Sequence, residues 1–186
     1  HDQWYKYLVE KVSEVDEALF EKYCEGTAIS KSELIQGIRR ATLARTITPT
    51  LCGAAFKNKG VQRLLDAVVD FLPSPLDLPP VIGVHQDEEI VRNPSDDAPL
   101  AALAFKVMAD KHMGKMVYFR VYSGIMKAGS YVLNSTKGEK QRIGRLMQMH
   151  SNKQEQRDEI FCGDIGVVVG LSDTGTGDTL CDTDRP

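Results

Sequence analysis

Six of the eight prolines in this chain fall between residues 73 and 99, where they separate two regions with different hydrophobic patterns. Before this stretch, apolar residues recur with the 3.6-residue period of amphipathic helices; after it, short β-branched runs alternate with glycines. Proline fixes φ and lacks a backbone N–H, so neither a long helix nor a central strand runs through such a segment. The sequence therefore predicts two domains, joined by a linker at residues 76–98.

The N-terminal region is predicted to begin with a helical hairpin at residues 1–40. Apolar residues keep a spacing of three to four over residues 3–23, which predicts one continuous helix there. Ser30 and Glu33 then form an S-x-x-E capping box, and this signal predicts a second helix that reaches Arg40.

The run 47–77 is predicted to form a strand, a small-residue loop and a helix. Residues 47–52 are rich in β-branched side chains and are predicted to form a short buried strand. The following helix is predicted to stop at Pro73 and Pro75, which remove backbone donors. Its apolar stripe consists of Val61, Leu64, Leu65, Val68, Val69 and Leu72.

The C-terminal region, residues 99–186, is predicted to be all-β. Glycines punctuate many short apolar runs and no helical period is evident, which indicates a barrel or a sandwich. A barrel is favoured because closure removes open sheet edges. The predicted strands lie at 100–108, 115–121, 130–134, 141–149, 165–169 and 178–181, with a short pair at 81–84 and 89–92 inside the linker.

The charge of the chain is unevenly distributed. Residues 1–98 hold 11 Lys/Arg and 16 Asp/Glu, whereas residues 99–186 hold 12 and 10. Between residues 120 and 157, eight basic side chains face only Glu139 and Glu155. This asymmetry predicts a basic face on the second domain.

The remaining composition favours a cytoplasmic protein. The four cysteines are widely separated and form no C-x-x-C pair, so reduced, packed thiols are expected rather than two disulfides. No apolar stretch approaches the ~18 residues of a membrane span. The chain begins with His1 instead of Met and shows no signal peptide, which fits a piece of a longer protein.

The run 47–77 resembles the last strand, guanine-recognition loop and last helix of a translational GTPase, closest to elongation factor G. The hairpin at 1–40 is similar to the end of the insert in that family's GTPase domain. Further blocks, in the family's order, are similar to its β-barrel second domain. The blocks that carry the resemblance are Lys57–Gln62 in the first region, then Pro99–Lys106, Phe119–Gly124, Lys127–Gly129, Leu146, Met149–His150, Gly163–Ile165, Gly170–Leu171 and Thr176–Leu180.

This resemblance implies a multi-domain α+β fold. Residues 1–75 would be the C-terminal remnant of a P-loop GTPase α/β domain with its helical insert, in which residues 47–72 supply the last strand, guanine loop and last helix. Residues 99–186 would be an all-β translation-factor barrel, the second domain of the family.

The resemblance also implies a guanine-binding loop made of Gly53, Ala54, Ala55 and Phe56. In GTPases this loop places a backbone N–H against the guanine O6 acceptor, and the resemblance assigns that donor to Ala55. Small residues are needed because the base lies against the backbone. The family usually has Ser where this chain has Ala54.

Other parts of a GTPase are missing from the sequence. There is no G-x-x-x-x-G-K-[ST] phosphate loop, no D-x-x-G run and no N-K-x-D motif. Phosphoryl transfer depends on positioned charge and Mg²⁺. We therefore expect GTP or GDP and Mg²⁺ to be cofactors of the full-length protein only, and this fragment to have no catalytic residue, no metal site and no bound nucleotide.

The basic side chains of the second region are candidates for phosphate contacts. By resemblance their partner is the ribosome, through small-subunit rRNA and proteins, with no DNA and no membrane. Such contacts give salt-dependent affinity without sequence readout. The alternative is that they only solvate strand faces. The candidates are Arg120, Lys127, Lys137, Lys140, Arg142 and Arg145, followed by Lys153 and Arg157.

The function implied by the resemblance is that of a ribosomal translocase fragment, whose full-length form uses GTP to drive tRNA–mRNA translocation. One alternative is another translational GTPase, such as release factor three or a ribosomal protection protein. The hairpin at 1–40 and the block 57–62 favour elongation factor G over these. The other alternative is a free-standing β-barrel module that binds RNA or protein, which an upstream phosphate loop in the same gene would exclude.

Overall fold

Helices and strands occupy different parts of this chain. The computed structural model describes residues 2–151 and 153–186, and the chain divides into two compact units, His1–Ser74 and Pro75–Pro186. His1, the first residue of the predicted hairpin, lies outside the described residues. The first unit contains helices α1 (Asp2–Ser13), α2 (Glu17–Cys24), α3 (Lys31–Leu43) and α4 (Val61–Phe71).

The prediction of one helix over residues 3–23 was wrong, because two helices occupy this range. Asp16 interrupts them: its backbone is extended, and its buried carboxylate accepts the N–H of Leu19 at 3.1 Å as the N-cap of α2. The same carboxylate accepts two hydrogen bonds from Arg40 on α3, at 2.7 and 3.0 Å. The Asp16 carboxylate therefore binds both a free N–H at the start of α2 and the guanidinium of Arg40. These bonds favour an extended backbone at this position, so the helix is interrupted although the spacing of apolar residues continues.

The capping box of α3 is confirmed. The hydroxyl oxygen of Ser30 accepts the N–H of Glu33 at 3.3 Å, and the Glu33 carboxylate accepts the N–H of Ser30 at 2.9 Å. Hydrogen bonds from Lys22 and then from Ser30 lower the pKa of Glu33 to about 2. The helix runs to Leu43, beyond the predicted end. The small core of this unit is built around the buried residues Val12, Leu19 and Leu34.

The predicted strand at 47–52 is wrong, because the structure has no strand there. A β-strand needs a neighbour for its backbone groups, and no strand in the described part of this unit offers one. Helix α4 forms as predicted, but its apolar stripe stays largely open, with Leu65 at 61 % and Val69 at 77 % exposure. An apolar groove of about 330 Å³ is lined by Leu64, Val68 and Leu72 of the stripe and by the extended segment before the helix.

The second unit is an antiparallel β structure. Within the described residues, its main sheet has eight strands in the order β7-β6-β12-β3-β4-β11-β8-β9, and two short pairs, β1-β2 and β5-β10, accompany it. The strands are β1 (Val81–His85), β2 (Glu88–Arg92), β3 (Ala101–Asp110), β4 (Gly114–Ser123), β5 (Met126–Lys127), β6 (Tyr131–Asn134), β7 (Glu139–Arg142), β8 (Arg145–His150), β9 (Lys153–Arg157), β10 (Glu159–Ile160), β11 (Ile165–Val169) and β12 (Thr179–Cys181).

One buried core joins strands that are far apart in the sheet order. Val132 of β6 and Leu146 of β8 belong to the same apolar cluster, although four strands separate them in the sheet. A flat sheet cannot bring such strands to one core, so the sheet curls around it into the predicted barrel-like form. Fully buried members of the core include Val117, Phe119, Val121, Met126, Val132, Ile143, Leu146, Val168 and Leu180.

The prediction of one strand at 141–149 was wrong, because β7 and β8 divide it. Ile143 turns into the core, and Gly144 passes the neighbouring strand so closely that an added Cβ would collide with the carbonyl oxygen of Val169. The chain leaves one strand and enters another at this point. The end strands β7 and β9 carry only charged and amide side chains, which discourages pairing with other chains.

The proline-rich stretch 76–98 lies within the second unit. It contains β1 and β2, close to the strand pair predicted there, in antiparallel register. Gln86 and Asp87 connect them with φ of +52° and +65°, as in a two-residue hairpin turn of mirror-image type. Arg92 of β2 donates hydrogen bonds to the carbonyl oxygens of Arg185 and Pro186.

The four cysteines are free, as expected, but not all are packed. Cys24 and Cys52 are exposed, Cys162 is half-buried and only Cys181 is buried. Burial raises the pKa of the Cys181 thiol. None of the described helices has the length and hydropathy to cross a bilayer.

Candidate guanine-binding loop and basic surface

The candidate guanine loop is a tight turn closed by two backbone hydrogen bonds. The N–H of Ala54 donates to the carbonyl oxygen of Lys59 at 2.9 Å, and the N–H of Lys59 donates back at 3.2 Å. Gly60 adopts φ of +81°, and a Cβ on it would lie 3.1 Å from the carbonyl oxygen of Cys52 and 3.2 Å from Cα of Gly53. Glycines at positions 53 and 60 therefore allow the two sides of the turn to approach each other.

Within this turn, the backbone around Ala55 is open to a ligand. A single 3₁₀ turn begins at Ala55, and residues 53–56 are all exposed. Among the described residues, the N–H of Ala55 donates no hydrogen bond. The ring of Phe56 is fully exposed. The turn can thus donate an unused backbone N–H to a planar acceptor.

The same part of the chain offers little else to a nucleotide. The described residues contain no group of three or more His, Cys, Asp or Glu side chains placed to hold a metal ion. The side chain of Ala54 has no polar atom, so it adds no hydrogen bond to the turn. What this loop can offer a ligand is therefore one backbone donor and its shape.

The six candidate phosphate-binding residues differ in how far they are already engaged within the barrel. Lys127 on β5 forms an ion pair with Glu159 at 2.8 Å. Lys137 binds the carbonyl oxygen of Asp173 and lies 3.4 Å from the carboxylate of Asp178. These two cations are already partly neutralised within the barrel, which reduces what they offer to an external phosphate.

Arg120 has a different constraint. It is half-buried on β4, with its guanidinium carbon 5.2 Å from the centre of the Tyr122 ring. Its Nε is buried and makes no hydrogen bond within the described part of the chain. The side chain lines a cavity of about 60 Å³ together with Pro75, Pro79 and Pro94, so the proline-rich stretch partly covers it.

Lys140 and Arg142 on the end strand β7 are more accessible. The register pairs Arg142 with Tyr131 and Lys140 with Leu133, so all four side chains point to the same, outward side. The Lys140 ammonium lies 5.1 Å from the centre of the exposed Tyr131 ring. Arg145 at the start of β8 is also exposed. These three cations are the candidates that are most open to a partner.

Sequence reasoning missed the polar network that shapes the turn before β7. Asp178, which is buried, accepts hydrogen bonds from the Gly175 N–H and the Asn134 amide, both at 2.8 Å. These bonds, together with Lys137, lower the pKa of the Asp178 carboxyl. Asn134 in turn accepts the N–H of Lys137 at 3.2 Å. In the sequence, Asp178 is one of several acids in a polar turn, and nothing marks it as buried.

Comparison with known proteins decides the nature of the second unit. Residues 99–183 match the family model described as elongation factor G domain 2. The barrel is an elongation factor G domain 2. This match supports a translation factor.

The fold of the whole chain is also similar to a known structure. A crystal structure of a protein from Thermus thermophilus superposes with a TM-score of 0.72 at 24 % sequence identity. The match covers 97 % of this chain but only 25 % of that protein, so the chain spans about a quarter of its length. At this identity the likeness shows the fold, including the helical unit that precedes the elongation factor G domain 2.

Proposed function

We propose that this chain is a piece of elongation factor G, a ribosomal translocase whose full-length form binds GTP with Mg²⁺ and drives tRNA–mRNA translocation in the cytoplasm. The observation that carries the proposal is the family match of the barrel over residues 99–183. The structural likeness over almost the whole chain supports it, because the helical unit and the barrel occur together in a much longer protein.

In this proposal the barrel contacts small-subunit rRNA through phosphates. Three of the six candidate cations are paired or partly covered, and we expect them to contribute less. The exposed ring of Tyr131 lies beside Lys140, and one ring offers less to successive bases than an aromatic array does, which favours backbone contacts. The cations expected to contribute most are Lys140, Arg142 and Arg145.

The turn at residues 53–56 would supply the guanine contact of the full-length protein through the N–H of Ala55. By itself it offers one hydrogen bond, whose net contribution is about 1 kcal/mol. We therefore expect no GTP turnover and no guanine-nucleotide binding at micromolar concentrations by the chain alone. Saturable micromolar binding of GDP in calorimetry would show that this account of the loop is wrong.

The proposed ribosome contact is tested by sedimentation of the chain with small ribosomal subunits at increasing salt. Each lost phosphate contact is expected to reduce the slope of log affinity against log salt by ~0.7 to 0.9. The double variant Lys140→Glu/Arg142→Glu should therefore bind more weakly and with a smaller slope. Lys6→Glu/Lys31→Glu, at exposed lysines of the helical unit, makes the same change in net charge and serves as the control.

Three results would count against the proposal. A salt-independent affinity would exclude a phosphate-contacting surface. An equal loss of affinity in both double variants would show that binding depends on net charge alone. A preference for free RNA hairpins over ribosomal subunits would favour the alternative of a free-standing RNA-binding module.

A further inference from the structure

The outward side of the barrel carries a methionine-rich surface. Its centre is a second apolar cluster, separate from the barrel core, and we call it the methionine face. It consists of four methionines, Met113, Met116, Met147 and Met149, together with Tyr118, Val167 and Val169.

The strand register shows that this cluster lies on the opposite side of the sheet from the barrel core. Val167 of β11 pairs with Met147 of β8 on one side and with Tyr118 of β4 on the other. Their chain neighbours Val168 and Leu146 belong to the core. Since side chains alternate between the two sides of a strand, the methionine face points outward.

The methionine face has a buried floor under flexible side chains. Val167 and Met147 are only 1 % and 6 % exposed. Half-buried neighbours such as Met113 and Met149 pack against them. Unbranched thioether side chains can rearrange around an incoming apolar group, which is why methionines recur at adaptable binding surfaces.

Exposed apolar residues extend the face at one border. Met108 pairs with Met116 across β3 and β4 and is 43 % exposed, and Phe105 is 40 % exposed beside Tyr118. Five of the six methionines in the chain therefore lie on this surface or next to it.

The charges around the methionine face are mainly positive. Lys106 borders it on β3, with its ammonium 5.7 Å from the centre of the Tyr118 ring, and Arg145 borders it on β8. The outward positions of β9 are Gln154 and Gln156, which are neutral.

The acid at this border is engaged within its own turn. Asp110 accepts the N–H groups of His112 and Met113 at 2.8 and 2.9 Å. The hydrogen bonds from Met113 and His112 lower the pKa of its carboxyl. Asp110 stays ionised, but Lys106 and Arg145 outnumber it, so an incoming partner meets an excess of positive charge at the edges of an apolar floor.

We propose that the methionine face is a docking surface for an acidic amphipathic helix of a partner protein. The four strands from β3 to β8 span ~14 Å, which accommodates a helix of ~10–12 Å diameter. The apolar side of such a helix inserts among the methionines while its carboxylates meet Lys106 and Arg145. A nucleic acid fits less well, because its phosphates need more cations and its bases need open aromatic rings.

The test uses the full chain with ¹³C-labelled methionine methyl groups and NMR titration. The probe is a synthetic peptide of about 18 residues, ~27 Å as a helix, with Leu on one face and Glu on the other. We expect the methyl signals of Met113, Met147 and Met149 to shift on titration. Met126 is fully buried in the barrel core and should stay in place, so it reports that the fold is intact.

Three control ligands and two variants give the test its specificity. A peptide with Lys in place of Glu, a non-amphipathic peptide of the original composition and a short oligouridylate should each leave the methyl signals unchanged. Lys106→Glu should weaken binding of the acidic peptide about threefold to fivefold. Lys153→Glu makes the same charge change at an exposed position on the other side of the sheet and should have no effect.

The proposal is overturned if the acidic peptide shifts none of the three outward methyl signals. It is equally overturned if any of the three control ligands shifts them as strongly, or if Lys153→Glu weakens binding as much as Lys106→Glu.

Discussion

Replacing Asp16 tests how the helical unit is held together. This carboxylate caps α2 and binds Arg40 of α3, and its side chain is only 5 % exposed. Loss of an N-cap costs about 1 kcal/mol. Loss of the two charge-assisted bonds adds about 1 to 2 kcal/mol. This is the low end of the usual range for such bonds, because the Arg40 side chain is half-exposed and water can replace the carboxylate. Asp16→Ala should therefore lower the free energy of unfolding by about 2 to 3 kcal/mol.

Asp16→Asn separates the two contributions. The amide oxygen still caps α2 but the ion pair is lost, so the expected cost is about 1 kcal/mol. Urea unfolding followed by the helical circular dichroism signal measures both variants, since α1 to α4 all lie in the first unit. Glu14→Gln is the control, because Glu14 pairs with Lys11 on an exposed surface where ion pairs contribute little.

The dependence on pH follows from the same contacts. The hydrogen bonds from Arg40 and from the N–H of Leu19 lower the pKa of Asp16 below its ordinary value. Its contribution is therefore complete above the unfolded pKa of about 3.9 and is lost as the pH falls through the folded value. Asp16→Asn should lack this part of the acid sensitivity. An Ala variant within about 0.5 kcal/mol of the unsubstituted chain, or an Asn variant as unstable as Ala, would refute this reasoning.

Three further changes have expected outcomes. Ser13→Ala should raise the free energy of unfolding in urea by about 1 kcal/mol, because the Ser13 hydroxyl is buried without a hydrogen-bond partner among the described residues; a lower stability would contradict this. Gly124→Ala should destabilise the barrel by more than about 2 kcal/mol, because an added Cβ would approach backbone atoms within 2.7 Å. The measurement is a thermal melt followed by the strand circular dichroism signal. Gly138→Ala is the control: it has a similar φ but open space around the added Cβ, and it should cost about 1 kcal/mol. Asp178→Ala should lower barrel stability in the same melt by about 2 to 3 kcal/mol, because the buried Asn134 amide loses its acceptor. A cost below about 0.5 kcal/mol would show that the hydrogen bonds of Asp178 do not stabilise the barrel.

Much of the secondary structure could be predicted because it follows local rules. The Ser30–Glu33 capping box and the apolar stripe before Pro73 need no information from distant residues, and both helices formed. Similarly, β11 occupies the predicted residues 165–169, where a β-branched run enters the sheet.

The errors arise where distant partners override the local pattern. Asp16 divides the predicted helix because it binds Arg40, and a separation of 24 positions hides this pairing from any local signal. The segment 47–52 has the composition of a strand, but the described part of its unit has no strand to pair with. Conversely, the strand Lys153–Arg157 has no apolar side chain, and its pairing with β8 defines it.

The candidate site was predictable to a similar degree. The small residues of the turn at 53–56 follow from the resemblance, and the structure places them in one exposed turn. The basic residues could be counted in the sequence, but not the ion pairs that engage Lys127 and Lys137. These pairs depend on which strands become neighbours, and that is decided by the sheet order.

The place of β12 in the sheet affects how the protein folds during its synthesis. This strand comes late in the sequence but lies between β3 and β6, two strands that are made earlier. Until Thr179–Cys181 emerge, the facing edges of those strands have no partner and can pair with other chains. The helices, whose contacts are more local, need no such wait. A nascent chain therefore carries an unfinished barrel until Thr179–Cys181 have left the ribosome.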